Sequence, residues 1–144
     1  MDQLFPYANI VTGILVLIIG FLVHWVAQLI SLVNWEFATK IGLQEKGMPK
    51  EFKVYEHAIA AADVAIGWIY GIAGVGLILD APWGYKLAWF PGIILLYHGI
   101  SVLVWMGNQR KIGYEIVTNR FRFTWSSLNI ITGLLAILIA WYAG

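Results

Sequence analysis

The stretch YANIVTGILVLIIGFLVHWVAQLISLVN, Tyr7–Asn34, runs for 28 residues without an aspartate, glutamate, lysine or arginine. A helix rises about 1.5 Å per residue, so roughly 20 residues cross the hydrocarbon core of a bilayer. Tyr7–Asn34 is longer than that and must tilt or extend past the membrane surface. It is also too long for the apolar core of a signal peptide. Its flank carries Asp2 and no basic residue, and no small-residue cleavage pattern follows. The stretch therefore reads as a membrane span.

Three further apolar runs follow, at about 57–79, 87–106 and 124–142. The rest of the composition agrees. Of 144 residues, 60% are hydrophobic and 12% charged, against about 25% charged in soluble domains. This excludes a disordered chain, a nucleic-acid binder and almost any soluble fold. With no cysteine there is no disulfide framework, iron–sulfur cluster or thiolate zinc site. The expectation is one all-α integral membrane domain over residues 1–144, a polytopic bundle of four transmembrane helices.

Charge placement orients that bundle. Lys40, Lys46, Lys50 and Lys53 fall in the connection 35–56, and Arg110, Lys111, Arg120 and Arg122 in the connection 107–123. Only Lys86 lies elsewhere. The positive-inside rule makes both connections cytoplasmic and puts both termini on the other side of a plasma (inner) membrane. Trp35, Trp105 and Trp125 fall at the inner boundary, and Trp83, Trp89 and Trp141 at the outer one, as interfacial indoles do. Trp25 and Trp68 alone lie within spans. Pro49 suits the first turn of the second helix and Pro91 that of the third. Pro82 and Gly84 suggest a tight outer turn.

One further pattern is a near repeat. Asn9-Ile-Val-Thr-Gly-Ile-Leu recurs as Asn129-Ile-Ile-Thr-Gly-Leu-Leu. The second and third spans show no matching pair, so convergence on a packing motif explains it better than an inverted repeat.

Helical spacing then selects one face per span. Gly13, Leu17, Gly20, His24, Gln28, Ser31 and Trp35 share a face of the first helix. Glu56, Ala60, Asp63, Gly67, Tyr70 and Gly74 share one of the second. Ile94, His98, Ser101 and Trp105 do so in the third, and Arg122, Ser126, Asn129, Gly133, Ala136 and Ala140 in the fourth. These faces collect small and polar residues, which lets membrane helices approach and hydrogen-bond. By rise per residue, His24 lies about 15 Å from the inner end of its span, His98 about 12 Å, Asp63 about 9 Å and Asn129 about 8 Å. His24, Gln28, Asp63, His98 and Asn129 are thus candidates for one polar site in the cytoplasmic half. Glu56 and His57 stand at its mouth with Arg122 opposite. Asp63 is the most telling, because a charged acid at mid-membrane costs about 2.5–3.5 kcal/mol on insertion scales.

Three function classes fit these residues. The leading one is non-enzymatic: binding or transport of a small ligand, a cation or a proton at the His/Asp site. A second is a structural or assembly subunit. Its Gly67-x-x-x-Gly71 and Gly133-x-x-Ala136 faces serve either internal packing or contact with a second copy or another membrane subunit. The third is redox or metal chemistry. His24 and His98 would be axial ligands of haem b, with Gly67, Gly71 and Gly133 making room and Arg110, Lys111 or Arg122 meeting the propionates. Alternatively His24, Asp63 and His98, or Glu56 for the acid, would form a two-histidine, one-carboxylate metal site. Against an enzyme, there is no HExxH, no nucleophile–base pair, and no glycine-rich phosphate loop. The partner implied throughout is the lipid bilayer.

Overall fold

A computed structural model describes residues 4–114 and 117–143 and is predominantly helical, with no strand among them. Asp2 lies outside the described residues. The helices are α1 (Ala8–Val33), α2 (Trp35–Lys40), α3 (Lys50–Ile66), α4 (Trp68–Ile78), α5 (Pro82–Leu87), α6 (Trp89–Lys111) and α7 (Asn119–Ala143). Three segments, Ala8–Val33, Pro82–Lys111 and Asn119–Tyr142, are long and apolar enough to cross a membrane. The bent pair α3–α4 makes a fourth if its two arms count as one span.

The N-terminal helix α1 packs antiparallel on α3–α4, and α6 packs antiparallel on α7. Contacts between α1 and α7 join the two pairs. Close approach depends on glycine. A Cβ on Gly13 would lie 2.7 Å from the Gly74 carbonyl oxygen, and one on Gly133 would lie 2.7 Å from the Leu96 nitrogen. The two copies of the Asn-x-x-Thr-Gly motif thus do the same job at two helix crossings. Asn9, Thr12 and Gly13 are buried, as are Asn129, Thr132 and Gly133.

Three local features depart from straight α-helices. Over Val16–Val26, α1 is wound as a π-helix, and the Ala27 N–H donates to the Leu22 carbonyl five residues back. Such winding is rare beyond a single turn and frequents functional sites. The second departure is the α3–α4 break at Gly67, where the axis bends by 45°. The last carbonyls of α3 need donors there. The Trp25 indole N–H donates to the Val64 carbonyl at 3.0 Å and the Trp68 indole to the Ala65 carbonyl at 3.1 Å. The two tryptophans within spans therefore serve the kink.

The third departure corrects the expected Pro82–Gly84 turn. Pro82 begins α5, and Gly84 lies inside that helix against the Gly76 backbone. The chain reverses earlier, at Asp80, which takes a left-handed conformation (φ 55°). Asp80 N–H donates to Leu77 and Ala81 N–H to Gly76, the bonding of a Schellman cap. The Tyr85 hydroxyl donates to the Asp80 carboxylate, which also accepts from Asn9 Nδ2 at 3.4 Å.

Helix ends differ modestly from expectation. The α6 helix runs to Lys111 rather than 106, α3 starts at Lys50, and Pro49 stands just before its first turn. Asn34 ends α1 and caps α2, its side-chain oxygen accepting from the Phe37 N–H at 2.9 Å.

Candidate cation site

The predicted faces of α1, α3–α4 and α7 turn inward. Ala60, Asp63, Gly67, Tyr70 and Gly74 are buried, as are Ser126, Asn129, Gly133, Ala136 and Ala140. In α6 the fully buried stripe is Gly92, Leu95 and Gly99, one position round from the expected one. Those small residues let α6 lie against α7, where a Cβ on Gly99 would sit 3.0 Å from the Ser126 carbonyl oxygen. His98 is left half-buried on the flank of that stripe, where it meets α1.

Four of the predicted site residues come together there. His24 and His98 stand edge to face with ring centroids 4.2 Å apart. One ligand-capable atom from each of His24, Asp63 and His98 lies within 4.8 Å of the other two. Asn129 Oδ1 is 2.6 Å from His24 Nε2, and Asn129 Nδ2 donates to the Trp125 carbonyl at 2.9 Å. That carbonyl can only accept, so the amide oxygen must face the imidazole. His24 Nε2 then carries the proton and donates it, and Nδ1 keeps the lone pair.

The cluster sits where the backbone is irregular. His24 lies in the π-wound part of α1. Asp63 is in the last turn of α3, and its own carbonyl accepts from the Gly67 N–H at 2.7 Å. Its Oδ2 is buried and has no hydrogen-bond partner among the described residues. Ser126 Oγ, one turn from Asn129, is likewise buried and unpartnered. Trp125 stacks on His24 at 5.4 Å, and the Tyr70 ring lies 6.2 Å from it. Tyr70 is on the expected face of Asp63, whereas Trp125 is on none of the expected faces. Its place near a span end marks Trp125 as a boundary indole, and its i, i+4 relation to Asn129 is the signal that brings it to the site.

Other predicted members lie apart. Gln28 and Ser31 face the following loop, where Gln44 Nε2 reaches Ser31 Oγ at 3.1 Å and Gln28 Oε1 at 3.5 Å. His57 is exposed beside Trp35, with ring centroids 6.1 Å apart. Glu56 is hydrogen-bonded to Trp105. Arg122 lies over Phe123 and lines a separate recess with Gln109, Arg110 and Tyr114. Glu56 and His57 on α3 and Arg122 on α7 belong to helices whose backbones do not pack on each other.

Beyond the 45° bend the α3 backbone stands off from those of α6 and α7, leaving a wedge that side chains cross. Phe52 and Tyr55 bridge the resulting wedge to Trp105, at 5.2 and 4.9 Å, and Phe52 also meets Tyr114 at 5.1 Å.

A haem does not fit this arrangement. Axial histidines stand on opposite faces of a macrocycle, whereas His24 and His98 touch edge to face. The glycines expected to make room are filled. Phe21 occupies the space over Gly71, Trp25 that over Gly67, and Leu96 that over Gly133. The same contacts place the Gly67-x-x-x-Gly71 face against α1 of the same chain. No family model, curated protein or solved structure matches the chain.

Proposed function

We propose that the chain is a four-span protein of a plasma membrane that binds a small cation, without catalysis, at His24, Asp63, His98 and Asn129. The α3–α4 pair is the second span. The termini lie outside, and the connections 35–56 and 107–123 are cytoplasmic. One observation carries the cation reading: an acid buried among helices, with a free carboxylate oxygen, shares its position with two imidazoles from two other helices. An intramembrane acid is expensive and ordinarily pairs, coordinates or lines water. Helix interruptions beside such a group are how membrane carriers build ion sites.

The test is thermal unfolding of the full chain in nanodiscs against a panel of sodium, potassium, magnesium, cobalt and zinc ions. At least one is expected to raise Tm, and Asp63→Asn is expected to remove that response while the chain stays folded. If Asp63→Asn mainly lowers Tm and no cation acts on either protein, Asp63 is helix glue and the proposal fails. Orientation is open to a Lys46→Cys probe in this cysteine-free chain. Labelling of that thiol from outside intact cells would reverse the topology.

A further inference from the structure

We infer that the cation is a divalent first-row transition metal, held by His24 Nδ1, one nitrogen of His98 and the Asp63 carboxylate. Asn129 acts as the positioning residue. The inference rests on the cation reading above and narrows it by donor chemistry. Sodium, magnesium and calcium take oxygen ligands, and magnesium keeps much of its water. Two imidazoles and one carboxylate instead suit zinc, cobalt, nickel or iron, and three protein ligands leave a further position open.

The hydrogen bonds beside the imidazole point the same way. A metal-bound histidine ordinarily donates its other ring N–H to a fixed acceptor, which sets tautomer and ring orientation. His24 has that arrangement. Nε2 donates to Asn129 Oδ1, and the amide is itself pinned by the Trp125 carbonyl. The carboxylate supplies an independent observation. Asp63 is buried, on a helix different from either histidine, and its Oδ2 is satisfied by nothing among the described residues.

Geometry sets what must move. Ligand atoms about 2.0–2.2 Å from a tetrahedral metal lie roughly 3.4 Å from one another. The three present atoms fall within 4.8 Å, so the site tightens by roughly 1 Å on binding. Each side of the cluster has a means of closing. Asp63 is one turn from the Gly67 break, and His24 stands in the π-wound segment.

The test uses cobalt as the probe, because tetrahedral Co2+ absorbs visibly. Purified full-length protein, stripped with a chelator and returned to nanodiscs, is titrated with Co2+. The expected result is one Co2+ per chain with tetrahedral d–d bands, displaced by Zn2+. His98→Gln and Asp63→Asn should each weaken binding by about 100-fold or more, and Asn129→Leu, which keeps the ligands, by about 10–100-fold. His98→Cys should restore binding and add a sulfur-to-cobalt charge-transfer band. No other cysteine exists to produce it. The charge-transfer band reports ligation and would not arise from a structural histidine.

Co2+ bound equally by wild type and all of these variants would place the metal elsewhere and overturn the assignment. So would a folded wild type, by circular dichroism, that takes up no Co2+. If sodium or magnesium alone stabilises the chain through Asp63, the transition-metal inference falls and the cation reading survives. If no cation does so, both fall.

Discussion

Where α4 turns into α5, backbone meets backbone. A Cβ on Gly84 would stand 2.2 Å from the Gly76 carbonyl carbon, and Ala8, Leu77, Ala88, Ile139 and Ala140 close around that crossing with Tyr85 and Trp89. Toward the 41–49 and 112–118 connections the same helices part. There the α3 backbone approaches neither α6 nor α7, and rings from α3 and α6 meet across the gap. The first end is held by atoms that cannot yield, the second by side chains that can. The polar cluster lies toward the second, beside the π-wound segment and the Gly67 break. A fixed end and an adjustable end in one core let a site change dimension without the fold coming apart.

The sharpest way to break this contrast is to add one methyl group at the fixed end and one beside the π-wound segment. Gly84→Ala forces two backbones apart, since a Cβ there meets only main-chain atoms of Gly76. Overpacking costs about 1–3 kcal/mol and more when nothing can move, so a loss of about 3 kcal/mol, or failure to fold, is expected. Gly71→Ala meets the edge of the Phe21 ring at 2.8 Å, a group able to swing away, and should cost about 1 kcal/mol. Reversible denaturation in detergent, followed by tryptophan fluorescence, compares the two. Equal losses would mean that the two places are equally stiff.

The next prediction concerns how the kink is held. Trp25→Phe keeps the ring packed on Phe21, at 5.0 Å in the native pair, but removes the donor to the Val64 carbonyl. A buried carbonyl left without a donor costs about 1–3 kcal/mol, so a loss of about 2 kcal/mol is expected. Trp68→Phe, whose bond to Ala65 is exposed, should cost less, about 0.5 kcal/mol. Hydrogen exchange at Trp68 and Ile69 should rise in the Trp25 variant and stay near wild type in the Trp68 variant. The reverse order would move the hinge's support to the lipid-facing side.

These two comparisons mark what the sequence could and could not convey. The apolar runs and the buried faces of α3–α4 and α7 follow from a 3.6-residue period, because small and polar residues recur at the spacing of one helix face. That His24, Asp63, His98 and Asn129 come level with one another follows from the same arithmetic. The π-winding and the break do not. Gly13, Gly20 and Gly74 look like Gly67 in sequence, yet they stay within their helices. What distinguishes Gly67 is the Trp25 side chain from another helix, set over it and donating to Val64. The shift of the α6 stripe has the same origin. Gly92 and Gly99 are chosen as the contact by where α7 can approach, and His98 takes the flank that remains. A period assigns faces within a helix; partners decide where it bends and which small residues touch.

A small net effect is expected at Asp80, and it asks what makes the fixed end fixed. Among the described residues, three helix ends stop with a left-handed residue and a six-to-one bond, at Gly42, Asp80 and Gly113. Glycine is the usual choice, because a side chain at positive φ is strained and aspartate is among the few others that tolerate it. At Gly113 a Cβ would meet open space, so Gly113→Ala tests the conformational cost alone, about 1 kcal/mol. At Asp80 the balance has a second side. Asp80→Gly relieves the left-handed strain but removes the acceptor for Tyr85 and Asn9. Hydrogen bonds to a charged group contribute about 1.5–3 kcal/mol, so the net result should be a loss of about 1 kcal/mol. Asp80→Asn keeps an acceptor oxygen and tolerance of the left-handed conformation, and should lose about half as much. Chemical denaturation of the three variants side by side gives the signs. If Asp80→Gly is instead more stable than wild type, the Tyr85 and Asn9 bonds contribute less than the strain they accompany. The rigidity of that end would then rest on the Gly76–Gly84 backbone contact alone.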